Sequence, residues 1–165
     1  MIKNFQDLLV GKWGAQIKGR KFPCSVGRSG IGKKTHEGDG LTPEGVWRLI
    51  SIMYRRDRLN LHTNNNINIR DTWSDDPLDP NYNKLGKPET KFSYEKLWRP
   101  DPIYDLIGIT DYNWPKPKPG MGSAIFLHAW RRPRHPTEGC IAFSTSDLKL
   151  VFKLLENTSK IIIKP

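Results

Sequence analysis

Thirteen prolines and 14 glycines are spread along 165 residues, and no unbroken apolar run is longer than four, as in Ala124-Ile125-Phe126-Leu127. Proline removes a backbone donor and glycine loosens the chain, so a sequence punctuated at this density cannot sustain long helices. A membrane-spanning helix, which needs about 20 consecutive apolar residues, is excluded with them. Between the breaks the apolar segments are rich in β-branched and aromatic residues, the composition of short half-buried strands. Strands are expected near Ala15–Lys18, Cys24–Gly27, Val46–Tyr54, Asn66–Thr72, Tyr104–Thr110, Ser123–Ala129, Cys140–Phe143 and Lys160–Lys164. One segment has a helical period: Leu148, Val151, Phe152 and Leu155 fall at i, i+3, i+4 and i+7, on one face. Ser144 followed three residues later by Asp147 is a capping box for that helix, with the acid near its positive end. The polar run 60–91 is expected to be loop around one strand, and the Trp114–Gly120 run WPKPKPG a stiff polyproline-like connector. With no repeat and no linker, residues 1–165 are expected to form a single domain with one core.

Lys and Arg number 27 against 17 Asp and Glu, a net charge of +10 that favours an anionic partner. Leu8-Leu9-Val10 is too short for the apolar core of a signal peptide, so no export signal is expected in this stretch. Two cysteines, Cys24 and Cys140, cannot build a disulfide framework; they are one bridge, two buried thiols, or one reactive thiol and one bystander.

Three motifs fail on their own chemistry. Gly27-Arg28-Ser29-Gly30-Ile31-Gly32-Lys33-Lys34 imitates a phosphate-binding loop, yet Lys34 stands where a magnesium-ligating hydroxyl is needed and no helix can open after it. A glycine-rich turn region is the better reading. His128, His135, Glu138 and Cys140 lack the tight paired spacing of a zinc site, so no metal or other cofactor is expected. Arg131, Arg132 and Arg134 beside Trp130 have no nucleic-acid-binding motif around them; a solvated basic loop or a carboxylate-binding rim remains.

The segment Gly122–Phe143, GSAIFLHAWRRPRHPTEGCIAF, carries the chemistry. A thiol becomes a nucleophile when an imidazole within hydrogen-bond reach takes its proton. Eleven residues separate His128 from Cys140, enough to return a second strand beside the first. The N–H groups of Gly139 and Cys140 are candidates for an oxyanion hole, and the Ala129 carbonyl for orienting the imidazole. His135 competes as base but sits between prolines in a polar loop. On spacing alone a buried structural cysteine remains the commoner case.

A strand ending in His, an intervening loop and then Thr137-Glu138-Gly139-Cys140 resembles the L,D-transpeptidase catalytic domain (YkuD-type), in a compact branch with a Thr-Glu-Gly-Cys box. Gly30-Ile31-Gly32, Glu37-Gly38-Asp39-Gly40, Trp73-Ser74-Asp75-Asp76-Pro77 and Tyr94-Glu95-x-Leu97-Trp98-Arg99 add to it. The resemblance implies a mainly β (β-rich α+β) fold: curved sheets in a sandwich enclosing a cleft, with a short helix after the cysteine. It implies a reaction on peptidoglycan stem peptides in the periplasm or cell envelope, by a monomer without membrane insertion or nucleic acid. Cys140 would form a thioester and His128 would move the proton; an amine acceptor gives a cross-link and water gives a carboxypeptidase. A noncatalytic basic binding module is the alternative. Carbapenem-type β-lactams would acylate the thiol. Arg131, Arg132, Arg134, Thr137, Glu138, Tyr94, Trp98 and His36 would line the substrate site. Most of the family has Ser/Thr-His-Gly-Cys and often Arg two residues on; Glu138 and Ala142 stand there in this chain.

Overall fold

Among the described residues, fourteen short strands, one α-helix and one 3-10 turn follow from this punctuation. The computed structural model describes residues 5–61, 65–89 and 91–165. Five strands form the first sheet: β1 (Leu8–Gly11), β2 (Gly14–Ile17), β3 (Arg20–Phe22), β6 (Gly45–Trp47) and β14 (Ile161–Ile163), in the order β3-β2-β1-β14-β6. β4 (Ile31–Gly32) and β5 (Thr42–Pro43) pair alone. The central sheet runs β13-β12-β11-β7, from β7 (Leu49–Tyr54), β11 (Leu106–Thr110), β12 (Phe126–Ala129) and β13 (Ile141–Phe143). A small sheet, β10-β8-β9, is made by β8 (Thr72–Ser74), β9 (Leu85–Gly86) and β10 (Tyr94–Lys96). The fold is mainly β, as expected.

The central sheet is buried on both faces, and its period of two sorts the side chains between two cores. Leu106, Leu127, Ile141 and Phe143 face β1, β2, β14 and the helix α1 (Thr145–Leu154), packing with Leu8, Ile17, Leu148, Val151 and Ile161. Met53, Ile107, Ile109 and Phe126 face the other way, toward Ile67, Trp73, Leu97 and Tyr104. His128 is two residues beyond Phe126 on β12 and so shares that second face. α1 begins as read: the Ser144 hydroxyl accepts from the Asp147 N–H at 3.0 Å, and Leu148 and Val151 are fully buried.

Four expected elements differ. The run Val46–Tyr54 breaks at Arg48, whose backbone exchanges bonds with Asp111, so its two halves enter different sheets as β6 and β7. Cys24–Gly27 makes only isolated bridges, Ser25 with Ala142 and Gly27 with Thr137. Asn66–Thr72 is mostly irregular, a bridge at Asn66 followed by a turn at Ile69–Arg70 that the Asp71 carboxylate closes by taking the Asn68 N–H at 2.7 Å, with only Thr72 in β8; positions 62–64 and 90 of the polar run lie outside the described residues. The WPKPKPG run is a closed loop rather than a rod, since the Asn113 side chain bonds the Lys118 N–H and carbonyl and the Gly122 carbonyl.

Candidate active site

β12 and β13 pair in parallel, Leu127 opposite Ile141 and His128 opposite Ala142. Cys140 immediately precedes β13, so its side chain projects to the same face as Ala142 and, across the pair, His128. Both border a cleft of about 460 Å³. The Cys140 thiol donates to the Ala124 carbonyl at 3.0 Å, and its sulfur accepts the Phe126 N–H at 3.3 Å. His128 is buried against Tyr104, ring centroids 5.4 Å apart and nearly perpendicular. Its Nδ1 lies 2.7 Å from the Ala129 carbonyl. A carbonyl only accepts, so Nδ1 carries the hydrogen and Nε2 is left as the basic nitrogen.

Burial dominates the electrostatics of this pair. It pushes the Cys140 thiol up to about 12, reinforced by the negative charge of Glu95, while the Phe126 N–H opposes the rise. It pulls His128 down to about 4. The resting pair is therefore neutral thiol and neutral imidazole at physiological pH. Such a thiol reacts only when its proton leaves as the new bond forms, which is general-base chemistry.

The loop that carries Cys140 is locked from below. Gly139 has φ +144°, and a Cβ there would stand 2.9 Å from the Leu41 carbonyl oxygen, so glycine is required. Buried Thr42 accepts the Gly27 N–H and donates to the Gly139 carbonyl at 2.9 Å. The Thr137 hydroxyl donates to the Cys140 carbonyl at 2.6 Å and accepts the Gly139 N–H at 3.1 Å. Gly139's N–H is thus engaged. On the other side, Asn83 holds the segment before β12 that meets the thiol: its Oδ1 accepts from Trp73 Nε1 and from the Ala124 N–H, and its Nδ2 donates to the Tyr112 and Asn113 carbonyls. Ala124 itself sits at φ 50°, a conformation costly for a residue with Cβ.

Of the other residues singled out by sequence, Tyr94, Arg131, Thr137 and Glu138 border the cleft with His135 and Trp130. Glu138 is paired at 2.8 Å with Arg28. Arg132 turns to His135 at 3.5 Å. Arg134 borders a different hollow, on the outer side of the first sheet, with Trp13 and Lys21. Trp98 lies under the Arg55 guanidinium at 3.5 Å, packed on the second core. His36 bonds the neighbouring Thr35 hydroxyl. Cys24 is buried in the first core, and burial pushes its thiol up to about 12.

The cleft also holds residues that the sequence reading did not single out for the site: Lys34, Glu37, Asp75, Glu95, Arg99 and Ser123. A signal for Glu95 was present. In β10 and the residues after it, Glu95 and Leu97 share a face, and Leu97 is fully buried. A charged residue in register with a core leucine is an inward-facing one.

Two solved structures are similar to the chain to different degrees. One, titled "Structure of Bdellovibrio bacteriovorus Bd1075", aligns with 96% of this chain and 47% of its own at TM-score 0.51 and 16% identity. The other, an L,D-transpeptidase from Mycobacterium smegmatis, aligns with 96% of this chain and 59% of its own at TM-score 0.48 and 11% identity. The chain thus spans about half the length of the solved structures it resembles. No curated protein matches. The model of the L,D-transpeptidase catalytic domain, YkuD, matches residues 8–163. With nearly its whole length inside that match, the chain belongs to the YkuD family of L,D-transpeptidase catalytic domains.

Proposed function

We propose that residues 1–165 form one catalytic domain, an L,D-transpeptidase that cross-links peptidoglycan stem peptides by cysteine acyl transfer in the periplasm or cell envelope. The observation that carries this reading is the fixed imidazole: with Nδ1–H donated to the Ala129 carbonyl, His128 presents a basic Nε2 on the face from which Cys140 projects. As Cys140 Sγ bonds to the stem carbonyl carbon, the thiol proton passes to His128 Nε2. The C–N bond then breaks, the imidazolium protonates the leaving amine, and a thioester remains. An amine of a second stem bonds to the same carbon, the C–S bond breaks, and the thiol recovers a proton. The developing oxyanion is served by the Cys140 N–H, since Thr137 occupies the Gly139 N–H. Arg131, on the rim, suits a stem carboxylate.

Muropeptide products and intact mass test this directly. Wild type and Cys24→Ala should form cross-links and gain the mass of one carbapenem-type β-lactam; Cys140→Ala should do neither. Equal activity of the two cysteine variants would overturn the assignment, and release of the terminal residue without cross-links would make water the acceptor.

A further inference from the structure

Lys34, the residue that spoils the phosphate-loop pattern, has a place in the fold that the pattern does not explain. Its side chain is 3% exposed and that of Asp39 is 4% exposed, with Nζ 2.5 Å from Oδ1. Taking two charges out of water is costly, and a buried ion pair adds little stability over apolar residues of the same volume. Stability is therefore a poor account of this pair, and its neighbours supply a better one.

The pair grips the backbone beneath Cys140. Asp39 Oδ1 also accepts the Leu41 N–H at 3.0 Å, and Lys34 Nζ donates to the Leu41 carbonyl at 3.2 Å. Both backbone polar groups of Leu41 are thus held by one ion pair. That carbonyl oxygen is the atom Gly139 packs against, and the next residue, Thr42, donates to the Gly139 carbonyl. Asp39 Oδ2 accepts the Thr35 N–H at 2.8 Å, which ties the chain entering the loop to the same carboxylate. On its other flank the Lys34 stem fills the space over Gly122. A Cβ at Gly122 would stand 2.2 Å from Lys34 Cε and 2.7 Å from Cδ. Two residues on is Ala124, whose carbonyl takes the thiol hydrogen. Lys34 therefore meets both supports of Cys140: the Leu41–Thr42 platform under Gly139, and the 122–124 segment beside the sulfur. Its charge reaches the thiol as well. Burial and Glu95 raise Cys140, and Lys34 opposes the rise.

We propose that the buried Lys34–Asp39 pair positions the nucleophile, with Lys34 spacing the Leu41 carbonyl from the Gly122 backbone so that Cys140 stays aligned with His128. Lys34 is a positioning residue, acting through Gly139 and Ala124 rather than on the reacting atoms. That the aligned thiol performs acyl transfer rests on the reading above; the positioning itself does not.

Lys34→Met alone strands a buried carboxylate, so the first variant is Lys34→Met/Asp39→Asn, which removes both charges and keeps an acceptor for the Leu41 N–H. The single variant is the second, thermal melts identify which is folded, and either suffices. Amide hydrogen exchange reads the positioning without any chemistry. The Gly139 and Phe126 N–H groups are bonded to the Thr137 hydroxyl and to the Cys140 sulfur. Relative to Leu148 in α1, both should exchange about tenfold or more faster than in wild type. Acylation of Cys140 by a carbapenem-type β-lactam should fall about tenfold or more in maximal rate, with the half-saturating concentration unchanged. Wild-type exchange at both amides in a folded variant overturns the proposal. An unchanged maximal rate overturns it too, and a raised half-saturating concentration then makes Lys34 a ligand contact. Faster exchange in the variant, with no acyl transfer by wild type, upholds the positioning and overturns the enzymatic reading.

Discussion

Acidification tests the placement of His128 without any substrate. Burial holds the imidazole down to about 4 in the folded protein, whereas an unfolded histidine titrates near 6.5. The unfolded chain therefore takes up this proton first as pH falls. The stability due to neutral His128 is complete above about pH 6.5 and declines from there, and the loss is complete below about pH 4. The gap of about 2.5 units corresponds to about 3 kcal/mol in full, of which about 1.4 kcal/mol is already lost at pH 5.5 and about 2.5 kcal/mol at pH 4.5. Carboxylates held low, such as Asp39 through Lys34 despite its own burial, add losses of the same sign only below about pH 4. Urea unfolding of wild type and His128→Gln at pH 7.5, 5.5 and 4.5 isolates the imidazole, because the carboxylate part is common to both. The wild type should lose about 2–3 kcal/mol more than the variant between pH 7.5 and 4.5. Parallel losses in the two proteins would mean that His128 titrates normally, and would refute the neutral buried base on which the mechanism depends.

The same neutrality should appear in kinetics: the acid limb of Cys140 acylation should fall near pH 4–5 rather than near 6.5, and a limb at 6.5 in a stopped-flow profile would contradict the burial argument. Asn83→Ala removes four hydrogen bonds from a buried node and should cost about 3 kcal/mol or more by urea titration, with slower thiol acylation because the Ala124 carbonyl loses its anchor. Gly139→Ala forces a Cβ to 2.9 Å from the Leu41 oxygen at φ +144° and should cost about 1–3 kcal/mol with near-complete loss of acylation. Arg28→Ala breaks an exposed pair with Glu138 and should change stability by less than about 1 kcal/mol in the same titration.

How far the chain could be read without coordinates depended on whether the deciding contacts were local. The strand character of Phe126–Ala129, the capping of α1 and the return of Cys140 toward His128 all lie within one continuous segment of the chain, and these were legible. β1 was not, because Leu8–Gly11 is a strand only between β2 and β14, and the latter lies at the other end of the chain. Asn66–Thr72 has strand composition, but the Asp71 side chain competes for the backbone and wins a turn. The site divided in the same way. Cys140, His128 and Ala129 come from one segment, whereas the three arginines of the loop scatter to three environments once the backbone turns at Arg134, φ 58°. Asn83 and Glu95 reach the site from the small sheet and its loop, and only tertiary packing brings that region to β12.

Net charge and site charge point in opposite directions here, and distance reconciles them. A total of +10 governs the approach of a polyanion from beyond the screening length, about 8–10 Å at physiological salt. Inside the cleft the sum is irrelevant, because Lys34 and Arg99 are each held by an aspartate at contact. The remaining groups then divide by position: Arg131 on the rim, and Glu37, Asp75 and Glu95 on the wall. The net charge therefore favours an acidic partner at long range, while close contact in the cleft is set by side chains of both signs.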